Sequence, residues 1–207
     1  MLKELIRIKE GILDILLPKK CVGCGKEGQY ICKDCELFLS EVRPSKEVVS
    51  VWEYEGLMEK LIWRIKYNGM YDIINELVEK AFEKMELNLP EDTSITYVPM
   101  YKKKEKQRGF NQAELIAKKV GKLTNKEIIP LLIKIKDNIS QVGLNPQERK
   151  ENVKNVFKYS ENGSRKNVLL VDDVYTTGAT MNECIKVLKK AGIKNVLGFT
   201  LARKLSI

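Results

Sequence analysis

Histidine is missing from all 207 residues. Any proton transfer this protein performs must therefore fall to a carboxylate, a lysine, a tyrosine or the substrate itself. A run of about 18 uncharged apolar residues is also lacking, which argues against a membrane-spanning helix. The apolar positions of the first 17 residues are broken by Lys, Glu, Arg and Asp, and no small-residue cleavage site follows, so nothing there reads as a secretory signal. Neither an internal repeat nor a low-complexity tract is visible. Aromatic interleaving near the most basic stretch is limited to residues such as Tyr101 and Phe110, which lends little support to base stacking. Positive charge is in excess: 37 Lys and Arg against 28 Asp and Glu, a net +9. That excess points to anionic partners, phosphorylated metabolites or nucleic acid, without choosing between them. A solvated Lys- and Glu-rich surface has the same composition.

The chain is long enough for one α/β domain plus a small module. An amphipathic helix over 2–17, ended by Pro18, leads into a cysteine module, and the two together are expected to occupy residues 1–43. Pro44 and Ser45 read as a linker to a second unit, 44–207. There, strands are predicted over 48–54, 95–99, 167–171 and 195–202, with Ile128 to Ile135 a further strand marred by Pro130. Helices are predicted over 57–67, 71–86, 111–121 and 179–191. Asn68-Gly69 separates the first two of these as a C-cap and turn signal. Strands alternating with helices predict a mainly parallel, doubly wound α/β sheet.

The most informative stretch is Asn167-Val-Leu-Leu-Val-Asp-Asp-Val-Tyr-Thr-Thr-Gly-Ala-Thr180. Val168 to Val171 have the composition of a strand buried on both faces, and ligands sit beyond the carboxyl ends of such strands. Asp172 and Asp173 can accept hydrogen bonds from ribose hydroxyls and order water around Mg²⁺, a hard cation suited to oxygen ligands. Thr176, Thr177 and Thr180 supply hydroxyls, Gly178 lets the backbone approach, and a helix starting near Ala179 aims free N–H groups at a phosphate. Taken singly, an Asp-Asp pair can cap a helix and Thr-Thr-Gly can be an ordinary turn. In this order they outline a ribose-phosphate site.

Cys21-Val-Gly-Cys24 and Cys32-Lys-Asp-Cys35 are two Cys-x-x-Cys knuckles seven residues apart, the spacing at which four thiolates reach one tetrahedral ion. Disulfides or redox pairs are the alternatives, and a reducing cytosol favours zinc. Four cysteines would close the site, making it structural. Cys184 falls on the apolar face of the helix over 179–191 and reads as a small buried hydrophobe.

Two further segments bear on the ribose-phosphate site. Tyr101-Lys-Lys-Lys-Glu-Lys-Gln-Arg-Gly-Phe-Asn-Gln112 is expected as a basic loop at the same sheet edge as Asp172, with Lys104 and Arg108 gripping a pyrophosphate and Gly109 allowing close approach. A solvated basic turn is the plainer alternative. Lys136 to Asn152 is polar and long for a compact domain. It holds a helix start at Asn145-Pro146, with Glu148 at the third position, and Arg149 could fold over the pyrophosphate as a lid; a purely structural segment is the alternative.

The Asp172 segment resembles the phosphoribosyl pyrophosphate (PRPP) signature of type I phosphoribosyltransferases. Lys66-Tyr67-Asn68-Gly69, Val98-Pro99 with Arg108-Gly-Phe-Asn-Gln-Ala113, and Gln141 with Leu144, Arg149 and Asn152 precede it in the order seen in the ComF (ComFC) competence-protein family. The four cysteines match that family's amino-terminal zinc module, so the resemblance covers nearly the whole chain. It implies a cytoplasmic bacterial protein of natural transformation with a phosphoribosyltransferase-like domain. The paired acids would hold the ribose and residues 176–180 the 5′-phosphate. A helicase-like competence protein and single-stranded DNA are the implied partners. Thr176 stands where 6-oxopurine salvage enzymes carry an acid, so hypoxanthine or guanine salvage is not expected. Two functions remain open: a transferase acting on Mg²⁺·PRPP, with Asp172, Asp173 and Arg108 as its catalytic residues, and a nucleotide-sensing adaptor that binds single-stranded DNA.

Overall fold

The structure, a computed structural model, describes residues 18–43, 45, 47–136, 155–160 and 165–205. The expected helix over 2–17, Pro44 and nearly all of the lid segment, including Asn145 and Arg149, lie outside the described residues. In chain order the elements are the one-turn helix α1 (Lys33–Glu36), strand β1 (Val48–Glu53), helices α2 (Gly56–Asn68) and α3 (Ile73–Lys84), and strand β2 (Thr93–Tyr97). Helices α4 (Lys102–Arg108) and α5 (Gln112–Thr124) follow, then the short strands β3 (Leu132–Lys134) and β4 (Phe157–Tyr159). Strand β5 (Asn167–Tyr175), helix α6 (Ala179–Lys190) and strand β6 (Asn195–Arg203) complete the described chain.

The central sheet has the order β1-β6-β5-β2, every pair parallel, and β3 pairs with β4 antiparallel in a separate ribbon. Successive side chains of a strand point to opposite faces, and β5 displays this directly. Leu169 and Val171 enter the cluster built by α2, α3 and α5, including Leu61, Ile65, Leu77 and Ile116. Val168 and Leu170 enter the other cluster, with Met181, Cys184 and Leu188 of α6 and Phe157 of β4. Helices cover both faces, as the alternating pattern predicts. The helix after β2 lies on one face and the helix after β5 on the other, so a crevice opens where these two neighbours end, the usual ligand position in such sheets.

Two elements differ from expectation. The basic stretch after Tyr101 is a seven-residue helix rather than a loop. None of its residues is buried, so it carries no apolar periodicity to betray it; Gly109 ends it in the left-handed region at φ 87°. The run over 128–135 divides around Pro130: Ile128 bridges Ile95 at the sheet edge, and only Leu132–Lys134 is a strand, paired with the unanticipated β4.

The cysteine module is seated on α2 and α3. Ile31 and Leu39 are buried in the same cluster as Trp52 and Ile74. The backbone N–H groups of Tyr30 and Ile31 donate to the two carboxylate oxygens of Glu76 at 2.9 and 2.8 Å. Lys80 Nζ reaches Glu36 at 2.5 Å and Lys84 Nζ reaches Glu41 at 2.7 Å. Charge-assisted bonds of the Glu76 kind contribute about 1.5–3 kcal/mol each. Glu76→Ala should therefore destabilise the protein by about 2–3 kcal/mol and Glu76→Gln by roughly half as much, read from urea unfolding; a change under about 0.5 kcal/mol for Glu76→Ala would mean that water replaces the carboxylate.

Candidate functional site

Strand β5 outruns its neighbour. Its pairing with β2 ends at Tyr97 and Val171, where Val98 N–H donates to Val171 O at 2.9 Å. Asp172, Asp173, Val174 and Tyr175 thus extend past the end of β2, still paired to β6 on the other side. Alternation sends the two carboxylates to opposite faces. Asp173, on the α2 face, places Oδ2 2.6 Å from Lys66 Nζ, with only 12% and 23% of the two side chains exposed. Asp172, on the α6 face, is partly buried and raises the thiol pKa of Cys184 beyond the effect of burial.

Burial dominates the electrostatics. It pushes the Asp172 carboxyl up to about 8, with the Asp173 charge adding to the rise and the Asp173 N–H and Lys66 opposing it. Burial also works against the Lys66 ammonium, but the charge and hydrogen bond of Asp173, joined by the charge of Asp172, hold its pKa above the ordinary lysine value. One ammonium thus sits among two crowded acids, an arrangement primed for a further cation or for hydroxyl donors.

Beyond Tyr175 the chain turns through Thr176 and Thr177 into α6. Gly178 is required twice over: its φ is 73°, and a Cβ there would lie 2.2 Å from the Tyr175 hydroxyl. Lacking a side chain, Gly178 cannot cap the helix; the Thr177 hydroxyl makes a long 3.4 Å contact with Ala179 N–H. First-turn amides left in this state are suited to an anion. Ala179 is buried and Thr180 partly buried at the start of α6. Tyr175 is braced from β6 by the Arg203 guanidinium, 4.6 Å from the ring centroid, which donates to Val48 O at 2.9 Å.

The opposite wall comes from the end of α4. Asn111 caps α5 by accepting from Ala113 N–H at 3.0 Å and donates to Val98 O at 3.1 Å, tying the Arg108-Gly-Phe-Asn segment to the carboxyl end of β2. Arg108 lies with its guanidinium carbon 5.6 Å from the ring centroid of Tyr67, the residue after Lys66. Arg108 is thereby brought to the last turn of α2, the turn that also carries Lys66, and Lys104 lies one turn earlier on the same helix as Arg108. A cleft of about 710 Å³ lies apart from these residues, between the cysteine module and α3 and α5. Two of its carboxylates are engaged, Glu76 by backbone and Glu79 by Lys119, as befits a seam between elements.

Lys66 and Asn111 appear in the sequence only within motif strings, because nothing in their spacing reveals that both meet at one sheet edge. Tyr175 likewise appears only inside the quoted run from Asn167 to Thr180, and Arg203 carries no sequence signal. The scarcity of aromatics beside the basic segment needs correction. Trp63, Tyr67 and Tyr71 are 51%, 65% and 51% exposed. The rings of Trp63 and Tyr67, one helical turn apart, are tilted at 45° with centroids 5.7 Å apart, and Tyr71 meets Phe110 edge-on at 5.7 Å. They come from α2 and the turn after it, far along the chain from Arg108.

The four predicted metal ligands do come together: the Sγ atoms of Cys21, Cys24, Cys32 and Cys35 all lie within 4.8 Å of one another. Cys24 Sγ and Cys32 Sγ are 3.5 Å apart, near the spacing of about 3.8 Å that a tetrahedral ion with Zn–S bonds of about 2.3 Å would set. A Cβ on Gly23 would lie 2.6 Å from Cys35 Sγ, so glycine is needed for this closure. Burial opposes a thiolate at Cys21, yet N–H groups of Cys32, Cys24 and Gly23 bring it down to about 6. Donor type, number and spacing fit zinc. Leu57, at the start of α2, packs on the cluster.

A doubly wound sheet with two acids at the carboxyl end of a central strand, followed by an uncapped helix start, defines a phosphoribosyltransferase-type domain, and the family model for the phosphoribosyl transferase domain matches residues 106–206. Similarity to characterised proteins extends well beyond that segment. The chain is 31% identical over 194 residues to competence protein F of Haemophilus influenzae, covering 88% of this chain and 84% of that protein. It is 32% identical over 187 residues to competence protein ComFC of Streptococcus pneumoniae, covering 89% and 81%. It is 26% identical over 193 residues to DNA utilization protein YhgH of Escherichia coli K12, covering 89% and 84%. The chain belongs to the ComF (ComFC) family of competence proteins. No helix among the described residues is long and apolar enough to cross a membrane.

Because burial raises the Asp172 pKa from an unfolded value of about 3.9, folding takes up a proton in this window and the native state loses stability as pH rises from about 4 to about 8. Asp172→Asn removes that loss. Its stability gain over the parent should be larger at pH 8 than at pH 5 by roughly 3–4 kcal/mol, on the order of 10 °C in Tm, and a pH-independent difference would show that burial does not govern this acid. For the cluster, metal analysis should find about one zinc per chain, with Cys32→Ser losing it together with thermal stability; full stability of metal-free Cys32→Ser would exclude a structural site.

Proposed function

We propose that this protein binds PRPP with Mg²⁺ and transfers its phosphoribosyl group to a nitrogen nucleophile, releasing pyrophosphate, in the handling of DNA taken up by a competent cell. What carries this reading is the Asp172-Asp173 pair at the free carboxyl end of β5, continuous with the uncapped start of α6. The acid pair accepts the ribose hydroxyls, and the amides and hydroxyls of residues 176–180 take the 5′-phosphate. Arg108 and Lys104, with Arg149 outside the described residues, take the pyrophosphate. Carboxylate oxygens suit Mg²⁺ directly or through water, and the ion would offset charge on the departing pyrophosphate. In the transfer, the acceptor nitrogen forms a bond to the anomeric carbon as the carbon–oxygen bond to pyrophosphate breaks. The electron pair leaves with pyrophosphate, and cations already in position stabilise it. The acceptor's proton passes to a carboxylate, a tyrosine or the substrate itself, histidine being absent. A cytoplasmic setting fits the reduced thiols of a zinc module.

A second reading has one observation in its favour: half-exposed Trp63, Tyr67 and Tyr71, with the Arg64 guanidinium carbon 6.0 Å from the Trp63 ring centroid. Aromatic faces interleaved with arginines suit single-stranded DNA. In that case the pocket senses a nucleotide while the protein bridges DNA and a helicase-like competence partner.

Calorimetric titration of Mg²⁺·PRPP should give binding to the parent that is lost in the Asp172→Asn/Asp173→Asn double variant. Pyrophosphate release on addition of a nitrogen acceptor would establish transfer. Absence of PRPP binding to the parent, together with salt-dependent retention of single-stranded DNA by both proteins, would replace the transferase with the adaptor.

A further inference from the structure

The last turn of α2 ends at Gly69, whose φ of 67° closes the helix. Adjacent residues of this turn diverge. Lys66 points inward to Asp173, while Tyr67 points outward, 65% exposed. An exposed tyrosine at a helix end ordinarily needs no account, but this one is held from two sides. Trp63 lies one turn below it with the rings 5.7 Å apart, and the Arg108 guanidinium lies over its ring at 5.6 Å. Among the described residues Arg108 makes no ion pair, so the tyrosine ring is its partner. The backbone at the end of α4 is fixed by the turn at Gly109 and by the Asn111 bond to Val98 O. The guanidinium stands at the end of a long flexible side chain and needs a support of its own.

A cation–π contact holds a guanidinium without consuming its N–H donors. The N–H donors lie in its plane and stay open to phosphate oxygens in a two-point grip. We infer that Tyr67 is a positioning residue: its ring sets Arg108 for the pyrophosphate end of the ligand, so that one turn of α2 serves both halves of the pocket, Lys66 at the ribose acids and Tyr67 at the pyrophosphate cation. This inference rests on the ribose-phosphate reading above and assigns the discrimination between PRPP and its product-like relative, ribose 5-phosphate, to the Tyr67–Arg108 contact.

An exposed cation–π contact contributes about 0.5–1 kcal/mol, which converts to roughly 2- to 5-fold in affinity. Mg²⁺·PRPP binding is measured by calorimetry and ribose 5-phosphate binding by ligand-observed NMR up to millimolar concentration, for the parent, Tyr67→Leu, Tyr67→Phe and Arg108→Ala. Tyr67→Leu should weaken PRPP about 2- to 5-fold and leave ribose 5-phosphate unchanged, Tyr67→Phe should retain parental affinity for both, and Tyr67→Leu should have no further effect in an Arg108→Ala background. Unchanged PRPP affinity in Tyr67→Leu, or an equal loss for both ligands, would overturn the inference while leaving the pocket itself intact. A parent that binds neither ligand would overturn the ribose-phosphate reading and this inference with it, a result visible before any variant is made.

Discussion

The ion pair between Lys66 and Asp173 is the constraint on which the rest of the site depends. Two adjacent acids at the end of a buried strand repel each other, and burial makes Asp172 resist ionisation. One ammonium brought against them from α2 offsets part of that conflict without resolving it, since the Asp172 carboxyl still stands well above its ordinary pKa. A site in this condition gains from accepting a cation or hydroxyl donors, as the ligand proposed above would supply. Stability and binding pull against each other here, and the protein keeps the acids.

Helix α2 links this site to the cysteine cluster. Leu57 at its start packs on the four cysteines, and Lys66 near its end meets Asp173. At about 1.5 Å of rise per residue these points lie on the order of 14 Å apart along one rigid rod. Glu76 fastens the module's backbone to α3 as well. A metal in the cluster would therefore act on the pocket through helix position rather than through chemistry, consistent with four donors that leave no open coordination place.

The crevice between β2 and β5 explains why the segments quoted from distant parts of the sequence belong together. Strand β5 extends past β2, and the space beyond Val98 is walled by Asn111 and the end of α4 on one side and by the Tyr175 to Gly178 turn on the other. Tyr175 packed over Gly178, and Arg203 over Tyr175, brace that turn from β6. The exposed rings of Trp63 and Tyr67 join this part of the molecule through the Arg108 contact with Tyr67.

Features that depend on neighbouring residues were determined by the sequence alone. The alternation of strands and helices, the Cys-x-x-Cys knuckles and the run from Asp172 through Thr180 are local patterns, and each reflects backbone periodicity, ligand spacing or glycine geometry that needs no distant partner. Helix α4 was not legible because its seven residues are all charged or polar and form no apolar stripe, and β4 because three residues are too few for a period. Tertiary structure decided what required the chain to return on itself: that Lys66, more than a hundred residues before Asp173, is its counter-ion, and that Arg108 rests on Tyr67. Charge pairing and ring stacking act between surfaces that only the packed sheet and helices bring within a few ångströms, and no spacing along the chain encodes that distance.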